Sequence, residues 1–285
     1  MQFIIINSEI IQKEDAKLTH LFWDEPFVLS QKVWFGFGGI PLFDKNIDFL
    51  CKQLKVFNIE IPNFLENKRE LFRISKRMLN KNKFFRSGLI NIQLFIIDTK
   101  IDYIISSIGY SDFEFPFSSN GILVNFSEMK RNSINDLNRY LFYNKTNWQI
   151  KLSQLRDSTY QNSILLNEKG IVSEGIASNI FMIKENVLIT PSFDSGCFED
   201  TTRDIILETA QQLQLKTVEL PNIKKEHILE MDEIFFASEE TGIKWILGVK
   251  NKRFVHNYSP KINRKINSLL KEKVANKDIK ERNSW

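Results

Sequence analysis

The sequence predicts an α+β protein in two halves: a smaller N-terminal α/β part over residues 1–127 and a larger strand-rich part over residues 128–285. Three observations carry this. Long helical patterns lie between strand runs in the first half, short strands with intervening turns fill the second as in a barrel-like domain, and the polar segment 128–139 separates the two.

The opening FIIINSEIIQ and the aromatic-rich run from Leu21 to Val33 read as two strands joined by a polar turn. In PLFDKNIDFLCKQLKVFNI, apolar side chains recur at helical spacing at Phe43, Ile47, Leu50, Leu54 and Phe57, with Asp44 suited to the N-cap. NFLENKRELFRISKRMLNK predicts a second helix over 63–81, and GLINIQLFIID with IDYIISSIGY predicts a hairpin turning around Asp98 to Lys100. GILVNFSEM resumes strand character. Beyond the polar segment a helix is expected near 145–157, then SILLN, EKGIVSEG, NIFMIK and VLIT as short strands. A helix starting near Thr202 comes next, and LKTVELP and EIFFAS read as further strands. From Lys250 onward, Lys and Arg interrupted by acids and amides predict a solvated helix and a frayed tail.

Of 285 residues 42% are hydrophobic, enough to bury a core, and Phe is used 24 times against 11 glycines. The most apolar runs, such as LINIQLFII, are strand-sized, so no membrane span is expected. The N-terminus shows no basic leader or small-residue cleavage site, which points to the cytoplasm. Cys51 and Cys197 are too few for a disulfide framework, and His20, His227 and His256 lack ligand spacing, so no metal is expected. The net charge of +4 lies in local runs of a solvated face, without the aromatic-basic interleaving of a nucleic-acid module.

The chemically informative stretch is IVSEGIASNIF, in which a tight polar turn carries Glu174 and Asn179 between apolar segments. Glu174 has a simple reading as a turn glutamate facing water, and Asn179 as a turn cap bonded to nearby backbone. The wider stretch LLNEKGIVSEGIASNIF, then TPSFDSG followed by TTR, then MDEIFFASEETGI, resembles the class IV aminotransferases, the fold-type IV pyridoxal-phosphate family. That family includes branched-chain and D-amino-acid aminotransferases and aminodeoxychorismate lyase. The segment IPLFDKNIDFLCKQLKVFNIEIP follows the family's first helix, so the resemblance runs in order over most of the chain.

The resemblance implies a two-domain fold-type IV architecture, a homodimer with its site near the domain interface, and an enzyme acting on a small amino acid or keto acid. Glu174 would face the cofactor's pyridine nitrogen and keep it protonated, which makes the ring a better electron sink. Thr201 and Thr202 would hold the phosphate at a helix N-terminus, with Asn179 alongside. Lys145, in YNKTNWQI, would supply the Schiff-base amine. Lys130 and Lys151 are its neighbours, and an alignment of the helix without a gap places the nucleophile near Tyr140.

The chain departs from the family at the phosphate. Asn46 and Phe49 stand where the first helix supplies histidine and arginine, Asp200 stands where a glycine is expected, and Glu239 where a hydroxyl residue is expected. Like charges about 5 Å apart repel by about 3 kcal/mol at an effective dielectric of about 20. Asp200 turned to cap its helix, or Glu239 turned to solvent, would do less harm. FGFGGI keeps Gly36, Gly38 and Gly39 but lacks the polar positions that come after them in the family. Two functions are therefore compatible with the sequence: an active aminotransferase or aminodeoxychorismate-lyase-like enzyme, and a degenerate homologue that binds a ligand or partner.

Overall fold

The computed structural model describes residues 2–17 and 25–282. Expectations for 21–24 lie outside the described residues. Contacts divide the chain into one unit of Met1–Phe115 with Ser268–Trp285 and a second of Pro116–Asn267.

The first unit is built on an antiparallel sheet of β1 (Phe3–Ile6), β2 (Glu9–Gln12), β3 (Phe27–Phe35), β4 (Gly88–Ile97) and β5 (Lys100–Gly109), in the order β2-β1-β5-β4-β3. FIIINSEIIQ is thus a hairpin and not one strand, because Asn7 and Ser8 take positive φ and reverse the chain between β1 and β2. The predicted hairpin of β4 and β5 is present, with Ile97 opposite Lys100 and Asp98 at φ 53° in the turn.

Helix α1 (Phe43–Val56) buries Phe43, Ile47, Leu50 and Leu54 of the expected stripe completely, while Phe57 lies past the helix end as its C-cap and is exposed. Asp44 lies inside the first turn; Leu42 is the N-cap, with no side-chain cap. The predicted helix over 63–81 is two, α2 (Asn63–Glu66) and α3 (Lys68–Lys81). Asn67 separates them, its side chain accepting from Glu70 N as the α3 cap.

The second unit contains β6 (Phe117–Phe126), α4 (Leu141–Gln154), β7 (Asn162–Leu166), β8 (Val172–Gly175), β9 (Asn179–Lys184) and β10 (Val187–Pro191). Next along the chain are α5 (Thr201–Gln212), β11 (Lys216–Leu220), α6 (Lys225–Ile228), β12 (Glu233–Ser238), β13 (Gly242–Val249) and β14 (Lys252–Arg253). Its sheet runs β11-β10-β9-β12-β13-β6-β7-β8, with β14 on β13. A bridge between Gly175 and Ser178 ties the edge strand β8 to the start of β9, so the sheet curls back on itself. Its core includes Val124, Ile180, Met182, Ile234, Phe236 and Ile246.

The unit boundary falls between Phe115 and Pro116 and not at 127/128. β6 pairs in parallel with β13 and β7, so its hydrogen bonds place it in the second sheet. The polar segment 128–139 is not a free linker either: Arg131 N donates to Leu166 O at 2.8 Å, and Asp136–Arg139 forms a short 3-10 turn.

Helix α7 (Ser259–Arg282) occupies the predicted C-terminal helix. It is less solvated than expected, since Ile262, Ile266 and Leu270 are fully buried. From Ser268 its contacts are made in the first unit, where a Cβ on Gly39 would come 2.7 Å from the Val274 side chain.

Candidate functional site

Glu174 near the end of β8 is completely buried, so the reading of a glutamate facing water is excluded. The turn after it is less polar than its sequence reads. Ile176 is buried against Trp148, Leu165 and Phe198, and Ala177 takes φ 53° to close the Gly175–Ser178 bridge.

Both carboxylate oxygens of Glu174 are engaged. Trp148 Nε1 donates to Oε1 at 2.9 Å, and the Phe198 backbone N–H donates to Oε2 at 2.8 Å. Arg131 Nε lies 3.2 Å from Oε1 as an ion pair without hydrogen-bond alignment. Burial pushes the Glu174 carboxyl up from the ordinary glutamate range, against the pull of Arg131, Trp148 and the Phe198 N–H. Every one of these neighbours is a donor, so an ionised carboxylate satisfies the geometry and a protonated one does not.

Arg131 is itself fixed by its other nitrogens. Nη2 donates to Gly196 O at 2.6 Å and Asn138 O at 3.1 Å, and Nη1 to Asn144 Oδ1. Asn144, Trp148 and Lys151 are the buried residues of α4, spaced i, i+4, i+7, and so share one face of the helix. Trp148 packs edge-on to Phe198 with ring centroids 4.9 Å apart.

The structure leaves Lys145 out of this cluster: it is exposed on α4. Lys151 is brought in instead. It is 4% exposed, its pKa is lowered by burial, and it feels the charges of both Glu174 and Arg131. Lys130 is also exposed, and Tyr140 is the residue preceding α4. The signal that distinguishes Lys151 is its helical phase with Trp148.

The N-terminus of α5 is the second part of the site. Asp200 is its N-cap: Oδ1 accepts from Arg203 N at 3.1 Å and from Asn179 Nδ2 at 3.0 Å, and Oδ2 from Glu239 N at 3.3 Å. Asn179 therefore bonds this carboxylate and not its own turn. Burial raises the Asp200 pKa to about 6 against these hydrogen bonds. Thr201 Oγ1 donates to Glu239 Oε2, and Thr202 is buried in the first turn. Glu239 does not escape to solvent, since it is 4% exposed.

In the first unit Phe49 is buried on α1, and Asn46 holds a structural network. Asn46 accepts from Gln31 Nε2 at 2.7 Å and donates to Leu42 O at 3.0 Å.

Among the described residues no cluster of His, Cys, Asp and Glu is arranged for a metal, and no helix is long and apolar enough to cross a membrane.

The fold is that of solved aminotransferases. A branched-chain aminotransferase from Thermobaculum terrenum in its PLP form superposes with a TM-score of 0.82 at 18% identity, covering 95% of this chain and 94% of that one. A putative 4-amino-4-deoxychorismate lyase from Legionella pneumophila gives 0.77 at 17%, covering 91% and 98%. At the sequence level, residues 38–244 match the class IV amino-transferase family. This chain belongs to that family. The branched-chain-amino-acid aminotransferase of Escherichia coli K12 is 34% identical over 101 residues, which span 34% of this chain and 32% of that protein.

The class uses pyridoxal phosphate, and the residues present do not fit that group in this geometry. The donor that a protonated pyridine nitrogen would offer Glu174 is already offered by the Trp148 indole. The anion that a phosphate would bring to the α5 N-terminus is already there as the Asp200 carboxylate, with Glu239 buried beside Thr201. A phosphate of about two negative charges would have to displace or face these acids.

Proposed function

We propose that this chain is a class IV aminotransferase homologue whose cofactor site is occupied by its own side chains, and that it acts as a ligand-binding protein without pyridoxal phosphate. The observation that carries this reading is the Trp148 indole seated on Glu174, with Asp200 doing the corresponding service at α5. Phe49, in place of an arginine, agrees with it.

The experiment is an absorbance titration of the purified chain with pyridoxal phosphate, followed by borohydride reduction and peptide mapping. The expected result is no visible band retained by the protein after the excess cofactor is removed by gel filtration. A visible band with a lysine trapped would overturn the proposal.

A second reading is favoured by the intact stretch around Glu174 and by the named relatives: a transaminase or aminodeoxychorismate-lyase-like enzyme acting on a small amino acid. It requires Trp148 to leave Glu174 and Asp200 to release the α5 amides. Its further expectations, a homodimer and a cytoplasmic location, are tested by sedimentation and by cell fractionation.

A further inference from the structure

We infer that a cavity beside the C-terminal half of α4 binds a small hydroxylated monocarboxylate, with the Lys151 ammonium as the cation that receives the carboxylate. The inference rests on the ligand-binding reading above, and names a ligand class and a place for it away from Glu174 and the α5 N-terminus.

The cavity has a volume of about 340 Å³. Its walls are the end of β6 and the segment after it, with Phe126, Glu128 and Met129, then α4 with Lys151, and the turn after α4 with Ser158 and Tyr160. Neither Glu174 nor Asp200 lines it, nor do the groups bonded to them. The volume is at the small end for ligand sites and suits a molecule of a few heavy atoms.

Lys151 is 4% exposed, yet among the described residues no hydrogen bond or ion pair reaches its amine, although an ammonium carries three donors. Burial lowers its pKa; at longer range the charge of Glu174 on β8 works against that shift and the charge of Arg131, after β6, works with it. Such a lysine costs stability, because the folded chain must either bury an ammonium without a counter-ion or hold the amine neutral. A carboxylate in the cavity supplies the missing acceptor, through charge-assisted hydrogen bonds that are about twice as strong as neutral ones.

The remaining walls decide what the carboxylate is attached to. The Tyr160 hydroxyl has no partner among the described residues, and Ser158 Oγ, which accepts from Tyr160 N at 3.1 Å, keeps its own proton to donate. Hydroxyls both donate and accept, and so match hydroxyls on a ligand. Phe126 and Met129 give the carbon skeleton an apolar wall. The carboxylate of Glu128, on the exposed edge, accepts from a ligand hydroxyl and repels a second carboxylate or a phosphate dianion. The ligand is held without any covalent step.

The test is calorimetric titration of the full chain with glycerate across a pH series from 6 to 9. Binding should weaken as pH rises through the lowered pKa of Lys151, by up to about tenfold per unit above it, because the carboxylate binds the protonated amine. Glu128 and Tyr160 are the other titratable groups of the lining. Lys151→Met keeps both, and should bind glycerate at least about tenfold more weakly, without that pH dependence. Its urea midpoint should equal or exceed that of wild type, since a buried cation without a partner gives way to an apolar side chain. Malate, with its second carboxylate, should bind wild type at least about tenfold more weakly than glycerate does, and the exposed change Glu128→Gln should narrow that gap. Glycerate affinity unaltered by Lys151→Met would overturn the inference. So would a lowered urea midpoint, which would mean that the amine has a partner within the fold, or inorganic phosphate binding as tightly as glycerate, which would make the cavity a general anion site.

The cofactor titration reads the other proposal separately. Pyridoxal phosphate retained after gel filtration, with glycerate still bound through Lys151, would overturn the cofactor-free reading and leave this site standing. Failure of glycerate to bind, with no cofactor retained, would do the reverse.

Discussion

Replacing Glu174 with Gln removes one charge at constant shape, and the surrounding donors set the cost. The carboxylate receives donors at 2.9 Å and 2.8 Å on its two oxygens and an Arg131 nitrogen at 3.2 Å. An amide has one oxygen, so its nitrogen must face either Phe198 N–H or the Trp148 and Arg131 side, and both are donors. One hydrogen bond to a charged acceptor, worth about 1.5–3 kcal/mol, is lost. Arg131, 5% exposed, also loses its counter-charge. Breaking a buried pair from one side costs about 3–5 kcal/mol, and relief of the Glu174 burial penalty places the expected loss near about 3 kcal/mol. The assay is urea unfolding at pH 7.5 followed by tryptophan fluorescence. Exchanging both partners, Arg131→Met with Glu174→Leu, should recover most of the loss. A Glu174→Gln loss below about 1 kcal/mol would refute the reasoning, because it would mean that the carboxylate is not carrying this network.

Three further outcomes are expected. Asp200 has a folded-state pKa raised from 3.8 to about 6, so its charge costs stability as pH rises through that window. Relative to Asp200→Asn, wild type should therefore lose about 2 kcal/mol between pH 4 and pH 7, a full shift of about 2 units being worth about 3 and partial exposure reducing it. Urea midpoints across that range measure it; a difference independent of pH would contradict the assignment. Trp148→Phe keeps an aromatic ring but removes the N–H from Glu174, and should cost about 1.5–3 kcal/mol in the same unfolding assay. Gly242 has φ +65°, and a Cβ there would come 1.9 Å from Pro116 O. Gly242→Ala should therefore lower the thermal midpoint by several degrees, and an unchanged midpoint would show that this turn relaxes freely.

The α1 helix is legible because Phe43, Ile47, Leu50 and Leu54 at helical spacing form one buried stripe, while Phe57, read as its fifth member, falls just past the helix and is exposed; the β4–β5 hairpin is legible because its runs meet at a short polar turn. The stretch around Glu174 marks the second unit and its buried carboxylate for a related reason: a charged side chain between apolar strands needs partners. β13 is not legible in the same way, although GIKWILGV is apolar. It lies centrally, between β12 and β6, and parallel pairing to β6 bridges more than a hundred residues of chain, a separation that no local pattern reports.

The sequence by itself determined the class of fold, the order of most elements and the importance of Glu174, all properties of local periodicity or of one motif. The tertiary structure alone decided what surrounds that glutamate. Burial of α4 on the face of Asn144, Trp148 and Lys151 turns Lys145 to solvent, puts an indole on Glu174 and brings Lys151 to the cluster. The closure of β12 beside α5 likewise brings Glu239 to Thr201 and Asp200. These are contacts between residues far apart in the chain, and their chemistry depends on burial and direction, which arise only when the sheet curls and the helices settle on it.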